Sequence, residues 1–210
     1  MARIVYIIDD EPEVRNSLRA LLGTRGNLHL IPYGSGDQFI DDLDGQEPGV
    51  ALLDIHLPGR SGMDVLKYLS DHKSPHAVVV LTGQGDIPMA VQALHLGAVD
   101  FLEKPYDHLS LFGAIDAAFD RVEKTAARDA RVDKAAELFA SLSEREKSVF
   151  DLLFAGGSNK SIARNLDITP RTVEFHRANM MKKLGVDSLP EAIRLMLLAQ
   201  YTPVETTGAL

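Results

Sequence analysis

Three carboxylates and one amine stand where hydrophobic runs stop. Asp9 and Asp10 follow the run Ile4-Val5-Tyr6-Ile7-Ile8. Asp54 closes Gly49-Val50-Ala51-Leu52-Leu53, and the turn Leu57-Pro58-Gly59-Arg60-Ser61-Gly62 follows it. Thr82 follows the run 77–81, and Lys104 follows Val99-Asp100-Phe101-Leu102-Glu103. A short apolar run ended by Pro and Gly reads as a buried parallel strand. The carboxyl ends of such strands are where open α/β sheets bind ligands. Carboxylates crowded at one sheet edge repel one another and need a cation to stay ionised together. Oxygen ligands suit Mg²⁺, or Mn²⁺ in its place. Asp10 and Asp54 are placed to bind the ion directly, with Asp9 nearby or acting through water. A metal beside Asp54 would polarise an incoming phosphoryl group, and carboxylates form aspartyl phosphates. Lys104 and the Thr82 hydroxyl are then placed to hold the phosphoryl oxygens. Taken singly, each of these residues is an ordinary helix cap, strand end or surface charge; the ordered set carries the reading.

The elements that must position them alternate. Strands are expected at 3–8, 28–31, 50–53, 77–81 and 99–102. Helical spacing links Val14, Leu18, Leu21 and Leu22, then Val65, Leu66 and Leu69, then Met89, Val91, Leu94 and Leu96. This pattern predicts a five-stranded parallel sheet covered on both faces, with right-handed connections, in a flavodoxin-like doubly wound fold.

From Asp107 to Ser141 there is no proline and a single glycine, Gly113, which predicts a long helical connector. Phe112, Ile115, Phe119 and Val122 have the spacing to pack on the first domain. The segment 123–141 is rich in Ala, Arg, Asp and Lys, which favours an exposed helix. A heptad passes through Ile115, Val122, Asp129 and Ala136, with Ala118, Thr125, Val132 and Phe139, but Thr125 and Asp129 weaken it. A marginal, state-dependent coiled coil and a plain spacer helix both fit.

The C-terminal part is helical throughout. Ser143-Glu144-Arg145-Glu146 has the form of a capping box, and the helix it starts stops at Gly156-Gly157. A short helix is expected from 159 to 166. Thr169-Pro170 opens a third, with Thr as N-cap and Pro in the first turn, running to Leu184 before Gly185. Ser188-Leu189-Pro190-Glu191 opens a fourth. Two short helices joined by a tight turn suggest helix-turn-helix.

Charge is divided unevenly. Residues 1–141 hold 22 acidic against 13 basic side chains; residues 142–210 hold 8 against 9. Lys160, Arg164, Arg171, Arg177, Lys182, Lys183 and Arg194 flank the candidate recognition helix and suit phosphate contacts. Charge alone would equally fit a small bundle with an ordinary surface. With 45% hydrophobic and 25% charged residues the chain has the composition of a soluble globular protein. No apolar run reaches the roughly 18 residues of a membrane span, and the N-terminus lacks a signal-peptide layout. The absence of cysteine excludes disulfides and thiolate metal sites and fits a cytoplasmic protein.

The segments Ile8-Asp9-Asp10-Glu11-Pro12, Asp54-Ile55-His56-Leu57-Pro58-Gly59-Arg60-Ser61-Gly62, Leu81-Thr82-Gly83 and Phe101-Leu102-Glu103-Lys104-Pro105 resemble the receiver domain of two-component response regulators over residues 1–122. The resemblance implies that Asp54 is the phosphoacceptor. It implies that Asp10, Asp54 and the backbone carbonyl of His56 ligate Mg²⁺ with Asp9 assisting. Thr82 and Phe101 would form a switch pair, and Lys104 would reach the phosphoryl group from a peptide bond to Pro105 that is usually cis in the family. The glycine-rich stretch Thr82-Gly83-Gln84-Gly85-Asp86 is in this family a flexible loop rather than a phosphate cradle.

Leu142-Ser143-Glu144-Arg145-Glu146, Asn159-Lys160-Ser161-Ile162-Ala163 and Arg171-Thr172-Val173-Glu174-Phe175-His176-Arg177 resemble the LuxR-type helix-turn-helix. The whole chain looks like a FixJ/NarL-family transcriptional regulator, closer to the FixJ branch. The implied domains are a receiver at 1–122, a helical linker at 123–141 and a DNA-binding four-helix unit at 142–210. Family positions place Glu174, Phe175 and Ala178 toward base edges, and Lys160, Thr172, His176 and Lys182 near the backbone. Arg171 joins this DNA-contacting set. A glutamate there accepts from cytosine N4. Asp167 replaces the glycine usual before the turn, which predicts a strained turn.

The resemblance implies a sensor histidine kinase as partner, double-stranded DNA as ligand, a homodimer formed on phosphorylation, and no membrane association. Two other readings were weighed. A Mg-dependent aspartate-nucleophile phosphohydrolase with a helical accessory domain needs a general acid near Asp54, where the chain offers His56 and no second acid. A receiver that controls DNA binding without phosphorylation has no use for the intact acidic set.

Overall fold

The computed structural model describes residues 3–83 and 87–199. The chain divides into two compact units, Met1–Ala126 and Ala127–Leu210. The first runs β1 (Arg3–Ile8), α1 (Pro12–Gly23), β2 (Leu28–Tyr33), α2 (Gly36–Asp41), a 3-10 turn at Leu43–Gly45, β3 (Val50–Asp54), α3 (Gly62–Asp71), β4 (Ala77–Thr82), α4 (Ile87–His95) and β5 (Asp100–Glu103). The five strands form one parallel sheet in the order β2-β1-β3-β4-β5. This is the doubly wound order whose ligand site lies beyond β1 and β3, where the winding reverses.

The period of two along each strand explains why both faces are covered. On β1, Ile4, Tyr6 and Ile8 enter one core cluster, while Val5 and Ile7 enter the other. On β4, Val78 and Val80 join the first, while Ala77, Val79 and Leu81 join the second. Every residue of β3 and β4 is buried. Sheets buried on both sides read as continuous apolar runs, and each fully buried leucine or valine stabilises the fold by roughly 1.5–3 kcal/mol.

Three local differences from the sequence expectation have physical reasons. Helix α2 and the following 3-10 turn were not anticipated, because six residues with only Phe39 and Ile40 as large apolar groups show no period. Strand β2 continues through Pro32 to Tyr33; it is an edge strand, where proline's missing N–H costs no ladder bond. Strand β3 includes Asp54 itself, opposite Leu81 of β4.

Helix α5 (His108–Ala140) is continuous over 33 residues, and the division between the units falls within it. Ile115, Ala118 and Val122 of the heptad are buried in the first unit's core, and Phe139 in the second's. The heptad positions left between them are Thr125, Asp129, Val132 and Ala136, two of them polar.

The second unit holds the end of α5 with α6 (Glu144–Phe154), α7 (Asn159–Asn165), α8 (Pro170–Leu184) and α9 (Leu189–Leu198). Three of its helix starts are set by side-chain caps, two of them, Ser143 and Thr169, expected from the sequence. Ser143 and Glu146 make both bonds of a capping box. Ser158 accepts from the Ser161 N–H, and Thr169 from the Thr172 N–H with Pro170 in the first turn. The N-cap Ser188 shows no side-chain cap bond. Gly185 ends α8 in the left-handed region (φ 68°), where glycine carries no Cβ penalty. Phe139, Phe150, Val173, Met180 and Leu184 lie in one core cluster.

Candidate functional site

Strand ends of the sheet carry the acidic groups. Asp9 and Asp10 follow β1, Asp54 ends the adjacent β3, Thr82 ends β4, and Lys104 follows β5. One carboxylate oxygen each from Asp9, Asp10 and Asp54 lies within 4.8 Å of the others. Asp9 and Asp54 are buried, at 1% and 5% exposure, whereas Asp10 is exposed. Lys104 reaches across from β5: its Nζ lies 2.8 Å from Asp9 Oδ2 and 3.4 Å from Asp54 Oδ1. Such a span suits lysine, whose long stem carries a compact charge.

Asp9 is held on every side. Its N–H donates to the Tyr33 carbonyl, and its own carbonyl accepts from Arg15 Nη1 at 2.6 Å. Its Oδ1 accepts from the Glu11 N–H and its Oδ2 from Lys104. Asp54 differs. Its buried Oδ1 accepts no hydrogen bond, although Lys104 Nζ stands at ion-pair range. Burial pushes the Asp54 carboxyl above the usual aspartate range; Lys104 opposes this and Asp9 adds to it. Burial alone would lower Lys104, but Asp9 and Asp54 outweigh it and hold the ammonium above its ordinary value. A buried carboxylate oxygen whose near partner is an ammonium at ion-pair range, beside two other acids, belongs to a donor set that fits a hard divalent cation.

The loop after β3 keeps Asp54 in place through Gly62. The Gly62 N–H donates to the Ile55 carbonyl at 2.9 Å, and a Cβ on Gly62 would lie 2.1 Å from the Asp54 carbonyl oxygen. His56 lies on this loop with an exposed side chain. Thr82 is fully buried, and its carbonyl accepts from the Lys104 N–H. The Lys104–Pro105 peptide is cis. Phe101 is half-buried against the cluster that holds Val80 and Ala93. Residues 84–86 of the glycine-rich stretch lie outside the described residues. Tyr106 was not singled out from the sequence; it is half-buried in the opposite cluster, and burial raises its hydroxyl.

Helix α4 splits its apolar residues between two faces. Met89 and Leu96 pack on the sheet. Ile87, Val91 and Leu94, at i, i+4 and i+7, face outward at 81%, 45% and 49% exposure. Helical spacing identified Val91 and Leu94 but could not tell a core face from an exposed one.

In the second unit, α7 and α8 pack together across the turn 166–169. Asp167 in that turn has φ 52°, a left-handed conformation for a residue with a side chain. Val173, Met180 and Leu184 turn inward on α8. Arg171, Glu174, Phe175, Ala178 and Lys182 share the exposed side of α8. Phe175 is 62% exposed, and its ring lies 5.7 Å from the half-buried His176. Lys160 is exposed on α7. Thr172 is half-buried, with its hydroxyl 2.8 Å from that of the N-cap Thr169. Lys183, counted above among the phosphate-seeking cations, is engaged instead: its Nζ donates to the buried Glu146 at 2.7 Å.

No described helix is long and apolar enough to cross a membrane. Residues 5–116 match the model of the response regulator receiver domain, and residues 140–196 match that of the bacterial regulatory proteins of the luxR family. The chain is 42% identical to the transcriptional regulatory protein FixJ of Bradyrhizobium diazoefficiens over 93% of this chain and 95% of that protein. It is 36% identical to the response regulator protein TodT of Pseudomonas putida, over 92% and 85% respectively. Among solved structures, the response regulator StyR matches with a TM-score of 0.78 and 34% identity over 94% of this chain and 99% of that one. Full-length FixJ from B. japonicum matches at 0.57 and 40%, over 95% and 98%. The relatives named here are regulators. With an acidic receiver pocket in one unit and a LuxR-type helix-turn-helix in the other, the chain belongs to the FixJ/NarL family of two-component response regulators and is a DNA-binding transcriptional regulator.

Proposed function

We propose that this regulator is switched by phosphorylation of Asp54 in a receiver at 1–122, linked by a helix at 123–141 to a DNA-binding unit at 142–210, in the cytoplasm. The observation that carries it is the pocket: three acids within 4.8 Å, the buried Asp54 among them, and Lys104 against two of them. Asp10, Asp54 and the His56 carbonyl would hold Mg²⁺ or Mn²⁺, with Asp9 assisting. A bound divalent ion neutralises the crowded carboxylates and the phosphoryl charge.

The donor is a phosphohistidine of a sensor histidine kinase. An Asp54 oxygen attacks phosphorus, the P–N bond breaks, and the imidazole leaves and takes up a proton. The product carries roughly one to two more negative charges than a neutral side chain. Lys104 shifts its ion pair to the new phosphoryl oxygens, the Thr82 hydroxyl moves to hydrogen-bond them, and Phe101 turns inward. Pro105 holds the Lys104 backbone in register. The phosphoryl group favours one of two arrangements and so shifts a population.

The exposed stripe Ile87, Val91 and Leu94 beside β5 then pairs with its copy in a second chain. Two DNA-binding units are thereby brought to half-sites about one helical turn apart. Glu174, Phe175 and Ala178 read base edges; Lys160, Arg171, Thr172, His176 and Lys182 hold the phosphates.

Light scattering tests this with Mg²⁺ and beryllofluoride as phosphoryl mimic. A monomer mass that doubles in the wild type, and stays single in Asp54→Asn and in Val91→Glu, is the expected result. A mass that never changes, or a response retained in Asp54→Asn, overturns it.

A further inference from the structure

Lys183 lies on the last turn of α8, yet it points into its own unit. Its Nζ donates to Glu146 Oε2 at 2.7 Å and lies 3.4 Å from the carbonyl oxygen of Ser141. Glu146 is 4% exposed. It sits at the third position of α6, where the same Oε2 accepts the Ser143 N–H at 2.8 Å. Burial would raise this carboxyl, but the bonds from Lys183 and Ser143 outweigh it and hold it low. Ser141 immediately follows α5, and Phe139 of α5 packs edge-on against Phe150 of α6 with ring centroids 5.2 Å apart. One cation therefore joins the end of α8 to the start of α6 and to the residue that leaves α5.

We propose that Lys183 and Glu146 are positioning residues for DNA reading, fixing the angle of α8 to the end of the connector helix, and that Lys183 is not a phosphate contact. This rests on α8 being the recognition helix. The physical reason for the assignment is the carboxylate. Lys183 keeps 43% of its side chain in solvent, but withdrawing its ammonium would leave a buried carboxylate held by Ser143 alone. A buried ion loses far more on losing its partner than a surface cation gains from one phosphate. The ammonium therefore stays on Glu146 when DNA binds. The two phosphate-seeking neighbours, Arg171 and Lys182, are exposed as Lys183 is, but have no buried carboxylate partner among the described residues.

The two roles separate by salt dependence. A phosphate contact contributes about 0.9 to the slope of log K against log salt concentration, whereas a positioning residue contributes nothing. The full chain, with Mg²⁺ and beryllofluoride, is titrated onto a duplex recovered by the wild type from a randomised pool, and onto a random duplex of equal length. Lys183→Met and Glu146→Gln are each expected to weaken selected-site binding about tenfold, to leave the random duplex nearly unaffected and to leave the slope unchanged. The double variant is expected to be no worse than the poorer single one, as for residues acting as one unit. Lys183→Arg restores binding. Circular dichroism confirms that each variant is folded at the assay temperature; if Lys183→Met is not, Glu146→Gln and Lys183→Arg carry the test. A slope lowered by about 0.9 in Lys183→Met with Glu146→Gln unaffected overturns the assignment and makes Lys183 a phosphate ligand. Arg171→Ala is the control for the underlying reading: if its slope is also unchanged, it is the role of α8 that fails.

Discussion

The acidic pocket and the recognition face are ordered by opposite means. The pocket is assembled from four segments far apart in the chain; Lys104 meets Asp9 across 95 positions. Asp9, Asp54 and Thr82 are buried there, so the charges of the two acids have to be answered by another. The recognition face lies mostly on one helix, α8, with one lysine from α7, and all of those side chains but Thr172 and His176 are exposed. There, charges answer to solvent and act nearly independently. A buried site assembled by topology therefore fails as a unit when its backbone is disturbed, whereas an exposed face set by helical period loses one contact at a time.

The largest break in that contrast comes from a residue that bears no charge. Gly62→Ala places a methyl group 2.1 Å from the Asp54 carbonyl and 2.8 Å from the Ile55 Cα. Both neighbours are backbone and cannot swing aside. A loss near 3 kcal/mol is expected, at the upper end of overpacking costs, together with loss of the beryllofluoride response. A urea midpoint equal to that of the wild type at the same m-value would contradict it.

On the exposed face, Arg171→Ala and Lys182→Ala should each lower the salt slope of DNA binding by about 0.9, and the double variant by about twice that. Glu174→Ala should leave the slope alone and relax the preference at one base position, by roughly 1–3 kcal/mol of discrimination. Slopes that fail to add would mean that this face is as cooperative as the pocket.

The pocket should also reveal itself by pH. Asp54 titrates above its ordinary value of 3.8 because burial and Asp9 disfavour its charge. Between 3.8 and the raised value the folded chain holds the proton and the unfolded chain has released it. Stability of the metal-free protein therefore falls as pH rises through that window. Asp54→Asn removes this slope, as melting temperatures across the acid range would record; a slope retained in the variant would assign it elsewhere.

The smallest effect is sought in the turn before α8. Asp167 holds φ 52° without glycine's freedom. Asp167→Gly should raise stability by about 0.5 kcal/mol, the left-handed penalty less the added freedom of the unfolded chain. A lower midpoint would show that the aspartate side chain compensates its own strain.

Much of this molecule is legible from local pattern. Short apolar runs placed the strands, and the Asp, Thr and Lys that end four of them marked the candidate site. Ser, Thr and Pro at helix starts placed α6 and α8 through caps that are themselves local hydrogen bonds. The unpredicted features are those in which distant segments compete for one position. Six residues cannot announce α2, which forms because Phe39 fills a space against Tyr6 and Tyr33. Thr82 and Lys104 are recognisable by type, but only strand order brings Lys104 Nζ to Asp9.

Sequence alone determined the element types, the identity of the acidic set and the polar side of α8, because these depend on residue type and short-range period. Tertiary structure decided the rest. It turned Ile87, Val91 and Leu94 outward while Met89 and Leu96 went inward, since the sheet covers only one side of α4. It tied the Lys183 ammonium to a buried carboxylate on another helix, although the side chain stays exposed. Seven similar cations are indistinguishable in composition; burial and distance separate them, because the strength of an ion pair depends on how far water has been excluded from it.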